Sequence, residues 1–294
     1  MFGRALKYDM KAVWKLWWVI AVSVGGLTLI SSLVLRFVIS TADKIEHASA
    51  LLSFVWGAAI LFLFVAVLAI FSSSIGTVIL VLVRFYKNFF TDEGYLTFTL
   101  PVSRAKLFLA KITNAMIWTF LHSVLITLCV MLAMLIAPPA TDGAIINPIV
   151  YKSIGEVLKL IFTDIPFEAV LWTLLYMFEA ILIVFASSLI SICLFHMCIT
   201  IGSIVAKKAK VIAGIGIYYG VNIVFSTIIS ILGNILTLGL LGGFVEIITG
   251  IESTRGILVI IALIGLLVFA MLATVAVAIY FATLDMIKNK LNLT

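Results

Sequence analysis

The chain has 294 residues, of which 64% are hydrophobic and 11% charged, and it carries a formal net charge of +6. Ordinary soluble domains sit near ~45–50% apolar and ~25% charged, so a sizeable soluble domain is excluded and the class is an all-α polytopic membrane protein. In such a chain the excess of positive charge bears on orientation in the bilayer rather than on nucleic acid.

Residues 2–15 read as an interfacial amphipathic helix. Arg4, Lys7, Lys11 and Lys15 recur at three- and four-residue steps on one side, and Phe2, Leu6, Met10 and Val13 line another. Trp14, Trp17 and Trp18 follow at the boundary, where tryptophan concentrates. The basic flank is long, the apolar block after it is span-length and no small-x-small site follows, so a cleaved signal peptide is not expected. A first span is predicted from Leu16 to Ile39, followed by the short polar loop STADKIEHASA. The second apolar block, Leu51 to Val83, would be about 50 Å long as a helix against a ~30 Å hydrocarbon core. It must tilt, bend or project, with Ser72, Ser73, Ser74 and Gly76 marking a place to bend.

The stretch from residue 84 to 111 breaks the apolar pattern. It carries Arg84, Lys87, Arg104, Lys106 and Lys111. Thr91, Asp92 and Glu93 suit a helix start, Pro101 disfavours helix at Leu100, and Ser103 suits the start of the next helix. The pattern predicts a short capped helix between two spans, and such a helix is a docking element for a soluble partner. Against this stands a plain basic loop that only fixes orientation.

A third span is predicted from Ile112 to Ala137, then a long external loop over 140–166 whose second half has helical spacing. A fourth span covers Phe167 to Ile199, the loop GSIVAKKAK carries Lys207, Lys208 and Lys210, and a fifth span covers Val211 to Leu232. Residues 233–250 are apolar, Gly-rich and short for a span, so they read as an external re-entrant segment. This needs shielding by protein or a water cavity. A sixth span covers Gly256 to Leu284. On this layout the N-terminal stretch holds four Lys or Arg, the central stretch five, the second loop three and the tail two. That is 14 of the 19, all on one side, with both termini cytoplasmic.

No Gly-Lys dipeptide occurs, which rules out a P-loop, and there is no H-E-x-x-H, G-x-S-x-G or Cys/His cluster. No catalytic residue, metal site or cofactor is therefore expected in the chain itself. Cys129, Cys193 and Cys198 lie in apolar blocks and read as small core residues. His122 and His196 read as packing histidines. Glu168 and Glu179 are about three turns apart on one helix face, ~16 Å along the axis. Glu179 is placed near mid-membrane, where a carboxyl either serves function or hydrogen-bonds a neighbouring helix. Gly216 and Gly220 form a small-xxx-small pattern for helix packing.

The opening RALKYDMKAVWKLWW resembles the start of many bacterial permease subunits of the ATP-binding-cassette type-2 exporter class. DEGYLTFTLPVSRAKLFLAK, from Asp92 to Lys111, is similar to the segment after their second span. The resemblance implies one transmembrane permease domain over 1–294, with six spans, an interfacial N-terminal helix and a re-entrant segment before the last span. It implies that Asp92, Glu93, Gly94, Tyr95, Leu96, Phe98, Leu100, Pro101 and Arg104 belong to a coupling helix that docks a soluble ATPase subunit, with Lys207, Lys208 and Lys210 as a second contact. ATP and Mg would be bound by that partner. A second permease subunit, identical or related, would meet the first and fifth spans, giving Gly25, Gly26, Gly216 and Gly220 a role in dimer packing. Membrane lipid is the surrounding partner and the bacterial cell membrane the location. The expected function is outward movement of an amphiphile such as a drug, antimicrobial peptide or lipid. The rival readings are a proton-coupled secondary transporter using Glu168 and Glu179, and a membrane immunity or scaffold protein.

Overall fold

The computed structural model describes residues 2–47, 49–99, 101–137, 167–206, 209–249 and 254–289. Among these there is no strand, and seven α-helices account for nearly all of them: α1 (Phe2–Thr41), α2 (Ala50–Phe90), α3 (Asp92–Thr99), α4 (Arg104–Ile136), α5 (Phe167–Val205), α6 (Lys210–Thr249) and α7 (Thr254–Asn289). A 3₁₀ turn, Ala42–His47, follows α1. All except α3 are long and apolar enough to cross a membrane. The chain is an all-α polytopic membrane protein. Phe54, Phe64 and Phe71 are exposed along α2, an arrangement that water would penalise and lipid favours. The six long helices hold 33 to 41 residues, about 50–60 Å each, so all outreach a ~30 Å hydrocarbon core.

Two expected breaks are not there. The interfacial helix over 2–15 and the first span are one uninterrupted helix, α1. The exposed Arg4, Lys7, Lys11 and Lys15 and the buried Val13 and Trp17 do fall on opposite sides as expected. The helix continues because nothing between Lys11 and Val19 breaks it: there is no Gly, Pro or cap residue. Likewise α6 runs as a single helix from Lys210 to Thr249, through the residues expected to turn back. Its glycines lower helix propensity by about 1 kcal/mol each in water without removing a backbone donor as proline would. α2 also passes unbroken through Ser72–Ser74; the Ser72 and Ser73 hydroxyls donate back to the carbonyls of Leu68 and Ile70. The expected surface helix in the loop over 140–166 lies outside the described residues.

The chain forms two compact units, Met1–Val83 with Thr113–Ile165, and Arg84–Ile112 with Pro166–Thr294. In the first, α1 buries a stripe that includes Val13, Trp17, Ala21, Val24, Thr28 and Ser32 at three- and four-residue spacing. Trp17 stacks at a tilt on the fully buried Trp118 of α4, ring centroids 5.0 Å apart, and Trp118 donates its indole N–H to Asn114 Oδ1 at 3.1 Å. His122 of α4 lies between two hydroxyls of α2, with Nε2 3.2 Å from Ser73 Oγ and Nδ1 3.2 Å from Thr77 Oγ1. In the second unit α5 packs against both α6 and α7. Phe195 and Tyr218 stack with centroids 3.7 Å apart, and Tyr176 donates to Leu258 O at 2.8 Å.

Candidate functional site

α3 occupies the stretch where the sequence pattern places a short helix, with Asp92 and Glu93 in its first turn. Its start differs from the expected cap. Thr91 Oγ1 donates back to Lys87 O, at the end of α2, and it is the Thr91 carbonyl that accepts from Gly94 N at 2.7 Å. Gly94 is needed here for space: a Cβ would stand 2.9 Å from Phe89 O and 3.0 Å from Phe89 C. Close approach of α3 to the end of α2 therefore excludes a side chain at 94.

The inner side of α3 is tied down by aromatic and polar contacts. Phe98 meets the buried Phe89 edge-on at 5.3 Å, and Phe89 continues into a cluster with Phe85, Phe108 and His196. With the Asn88 amide oriented to satisfy both its ends, its nitrogen donates to Arg84 O at 3.0 Å and Glu93 Oε2 at 3.3 Å. Its oxygen then accepts from the buried Lys111 Nζ at 2.9 Å. A lysine this buried is held only by such partners. On the outer side Tyr95 and Leu96 are 66% and 68% exposed. Asp92 is also exposed, and Leu100 lies outside the described residues.

Arg104, expected to face a partner, is turned towards the protein's own helices. Its guanidinium lies 5.1 Å from the Phe98 ring and donates to Ile287 O at 3.2 Å and Lys288 O at 2.8 Å, in the last turn of α7. Free carbonyls at a helix C-terminus attract cations, so one side chain fixes α3 and the end of α7 together. Arg104→Ala should therefore speed amide hydrogen exchange in α3 and over residues 285–289 by about tenfold, about 1.4 kcal/mol of local opening. Protection in α5 should be unchanged.

Of the second expected contact, Lys207 and Lys208 lie outside the described residues; Lys210 opens α6, preceded by Ala209 with φ of 54°. Glu168, at the exposed start of α5, forms a two-pronged ion pair with Arg255 of α7, at 2.7 and 2.9 Å. Glu179 is 5% exposed; its Oε1 has no hydrogen-bond partner, and its other carboxyl oxygen lies against Gly265 of α7. The neighbouring-helix hydrogen bond considered for Glu179 is not seen at Oε1. His196 Nδ1 donates to Ile192 O at 2.7 Å, and no group of three or more His, Cys, Asp or Glu suits a metal among the described residues. All three cysteines are free and buried.

The glycines divide differently from the expectation. Gly25, Gly26, Gly216 and Gly220 have nothing within 4 Å of where a Cβ would stand. The tight contact is between Gly202 of α5 and Gly214 of α6, where a Cβ on Gly202 would lie 2.7 Å from Gly214 Cα and 2.9 Å from Lys210 O. No protein-family model, curated protein or solved structure matches the chain.

Proposed function

We propose that this chain is the transmembrane permease subunit of a bacterial ATP-binding-cassette exporter, moving an amphiphile outward, with ATP hydrolysed by a separate soluble subunit docked on α3 at the cytoplasmic face. The observation that carries this reading is the construction of α3. It is clamped from behind by Phe89, Phe98, Asn88 and Arg104, yet holds Tyr95 and Leu96 out to solvent. A short helix that spends polar bonds on being held still, while exposing an aromatic and an aliphatic side chain, suits a protein contact. It joins α2 to α4, so force on α3 acts on two spans at once, as a rigid-body switch requires. Gly25, Gly26, Gly216 and Gly220, open on their helices, support close packing by a second permease subunit.

The test is co-purification of the full chain with the soluble ATPase produced from the same cells. Tyr95→Asp and Leu96→Asp should each weaken retention about thirtyfold, on the order of 2 kcal/mol for a buried anchor residue, while membrane insertion and thermal stability stay as in the wild type. Equal retention by both variants would overturn the docking role of α3. The proton-coupled alternative draws on the unpartnered oxygen of Glu179, but its second station, Glu168, is engaged by Arg255. It predicts uptake or efflux driven by a pH gradient in vesicles that contain no ATPase.

A further inference from the structure

We propose that the first unit contains a binding slot for one acyl chain of a membrane phospholipid, in the leaflet at the Ala42–His47 end of α1. This inference does not rest on the exporter reading. A cavity of about 720 Å³ lies among α1, α2 and α4, within the ~300–1,000 Å³ range of small-molecule sites. It is lined on α1 from Thr28 to Ile39, on α2 from Leu63 to Ser74, and from Ile126 on α4 to Ala137 just past its end. Each stretch rises about 17 Å along its helix. The void exists because small side chains face it: Ser32, Ala66, Cys129 and Ala133 among them.

The depth of the slot identifies its occupant. At the rim, Ile39 is two residues from the end of α1, where the polar 3₁₀ turn Ala42–His47 begins. Trp56 donates its indole N–H to Val38 O at 3.2 Å beside that rim, and tryptophan marks the boundary between hydrocarbon and water. From that boundary a slot of about 17 Å reaches the middle of a ~30 Å hydrocarbon core. Its length is that of one leaflet. About one turn below the slot's inner end, His122 bridges Ser73 and Thr77 in a polar layer.

The chemistry of the wall agrees. The hydroxyls of Thr28, Ser31 and Ser32 are the polar groups that α1 offers, and each donates to a carbonyl of its own helix, at 2.8, 2.7 and 2.7 Å. Their protons are thereby spent. Such a wall gives water too few partners to hold it and suits a saturated chain, which asks for none.

The experiment uses the full-length protein in phospholipid vesicles containing two photoactivatable phospholipids. One bears its diazirine near the acyl methyl end, the other near the acyl carbonyl, and labelled residues are located by mass spectrometry. The methyl-end probe should concentrate on slot-facing Thr28, Ser74 and Ile126, and the carbonyl-end probe at Ile39 and Ala137. Both should exceed labelling of outward-facing neighbours such as Leu29 and Ile75 at least fivefold. Ala133→Phe, which fills the slot, should bring slot labelling down to that of its neighbours and leave Phe54 labelling unchanged. Ala66→Leu, a smaller intrusion, should reduce it partially. Equal labelling of slot-facing and outward-facing residues in the wild type would overturn the proposal, since that is what surrounding bilayer lipid alone produces. Slot labelling by a single-chain amphiphile, with none by either phospholipid, would equally overturn it.

Discussion

Gly202→Ala should destabilise the folded protein by about 3 kcal/mol, at the upper end of overpacking costs. The added methyl would stand 2.7 Å from Gly214 Cα and 2.9 Å from Lys210 O, and closer still to Gly214 N. All three are backbone atoms of α6, so no side-chain rotation relieves the contact. Gly214→Ala is blocked from the other side, by Ile199 Cα at 2.9 Å and Cys198 O at 3.2 Å. The two helices must part where the last turns of α5 meet the first turns of α6, and the stacked pair Phe195–Tyr218 parts with them. Gly216→Ala and Gly220→Ala, on the same α6 helix, should have the opposite sign in the single chain, adding up to about 1 kcal/mol, because alanine favours helix over glycine and nothing within the chain obstructs it. A thiol-reactive dye gives the measurement, since the three cysteines are buried until the protein unfolds. If Gly202→Ala and Gly216→Ala melt together, α5 and α6 do not approach each other this closely.

That contrast also shows what the sequence made legible. Spans announce themselves by long apolar runs, and α3 by two acids at one end and a proline past the other. These are local signals, set by backbone chemistry within a few residues. Helix ends without a breaker are not announced, so α1 and α6 run further than hydropathy implies. The Gly216-x-x-x-Gly220 spacing is a local pattern too, but it concerns one helix face and leaves the partner unspecified. The glycine pair that does pack is spread over two helices. A signal for it exists: Gly202 and Gly214 are equidistant from Lys208 in the connecting loop, as residues facing each other across an antiparallel helix pair must be. The resemblance puts Arg104 in the coupling helix that docks a partner; its actual partners are carbonyls of α7, nearly the whole remaining chain away. No local rule reaches that far. The same holds for Glu179 and Gly265, and for His122 between Ser73 and Thr77.

Glu179 and Gly265 should prove strongly coupled. Gly265→Ala would place its methyl against the Glu179 carboxyl, 3.2 Å from the carboxyl carbon and closer to one oxygen, costing about 2 kcal/mol. Removing the carboxyl first, in Glu179→Ala, vacates that space, so the methyl should then cost almost nothing. The double-mutant cycle should return a coupling energy of about 2 kcal/mol, near the top of values for residues in contact. Additive effects would mean that the carboxyl does not rest against α7. Glu179→Leu separates packing from chemistry. It fills a similar volume and removes a buried oxygen that has no hydrogen-bond partner, so it should melt no lower than the wild type. A polar group kept inside a span at a cost to stability points to a task beyond packing. If the chain is the permease proposed above, transport by its assembly should accordingly fall at least tenfold in Glu179→Leu while the melting temperature holds. A lower melting temperature with transport intact would instead make the carboxyl part of the α5–α7 contact.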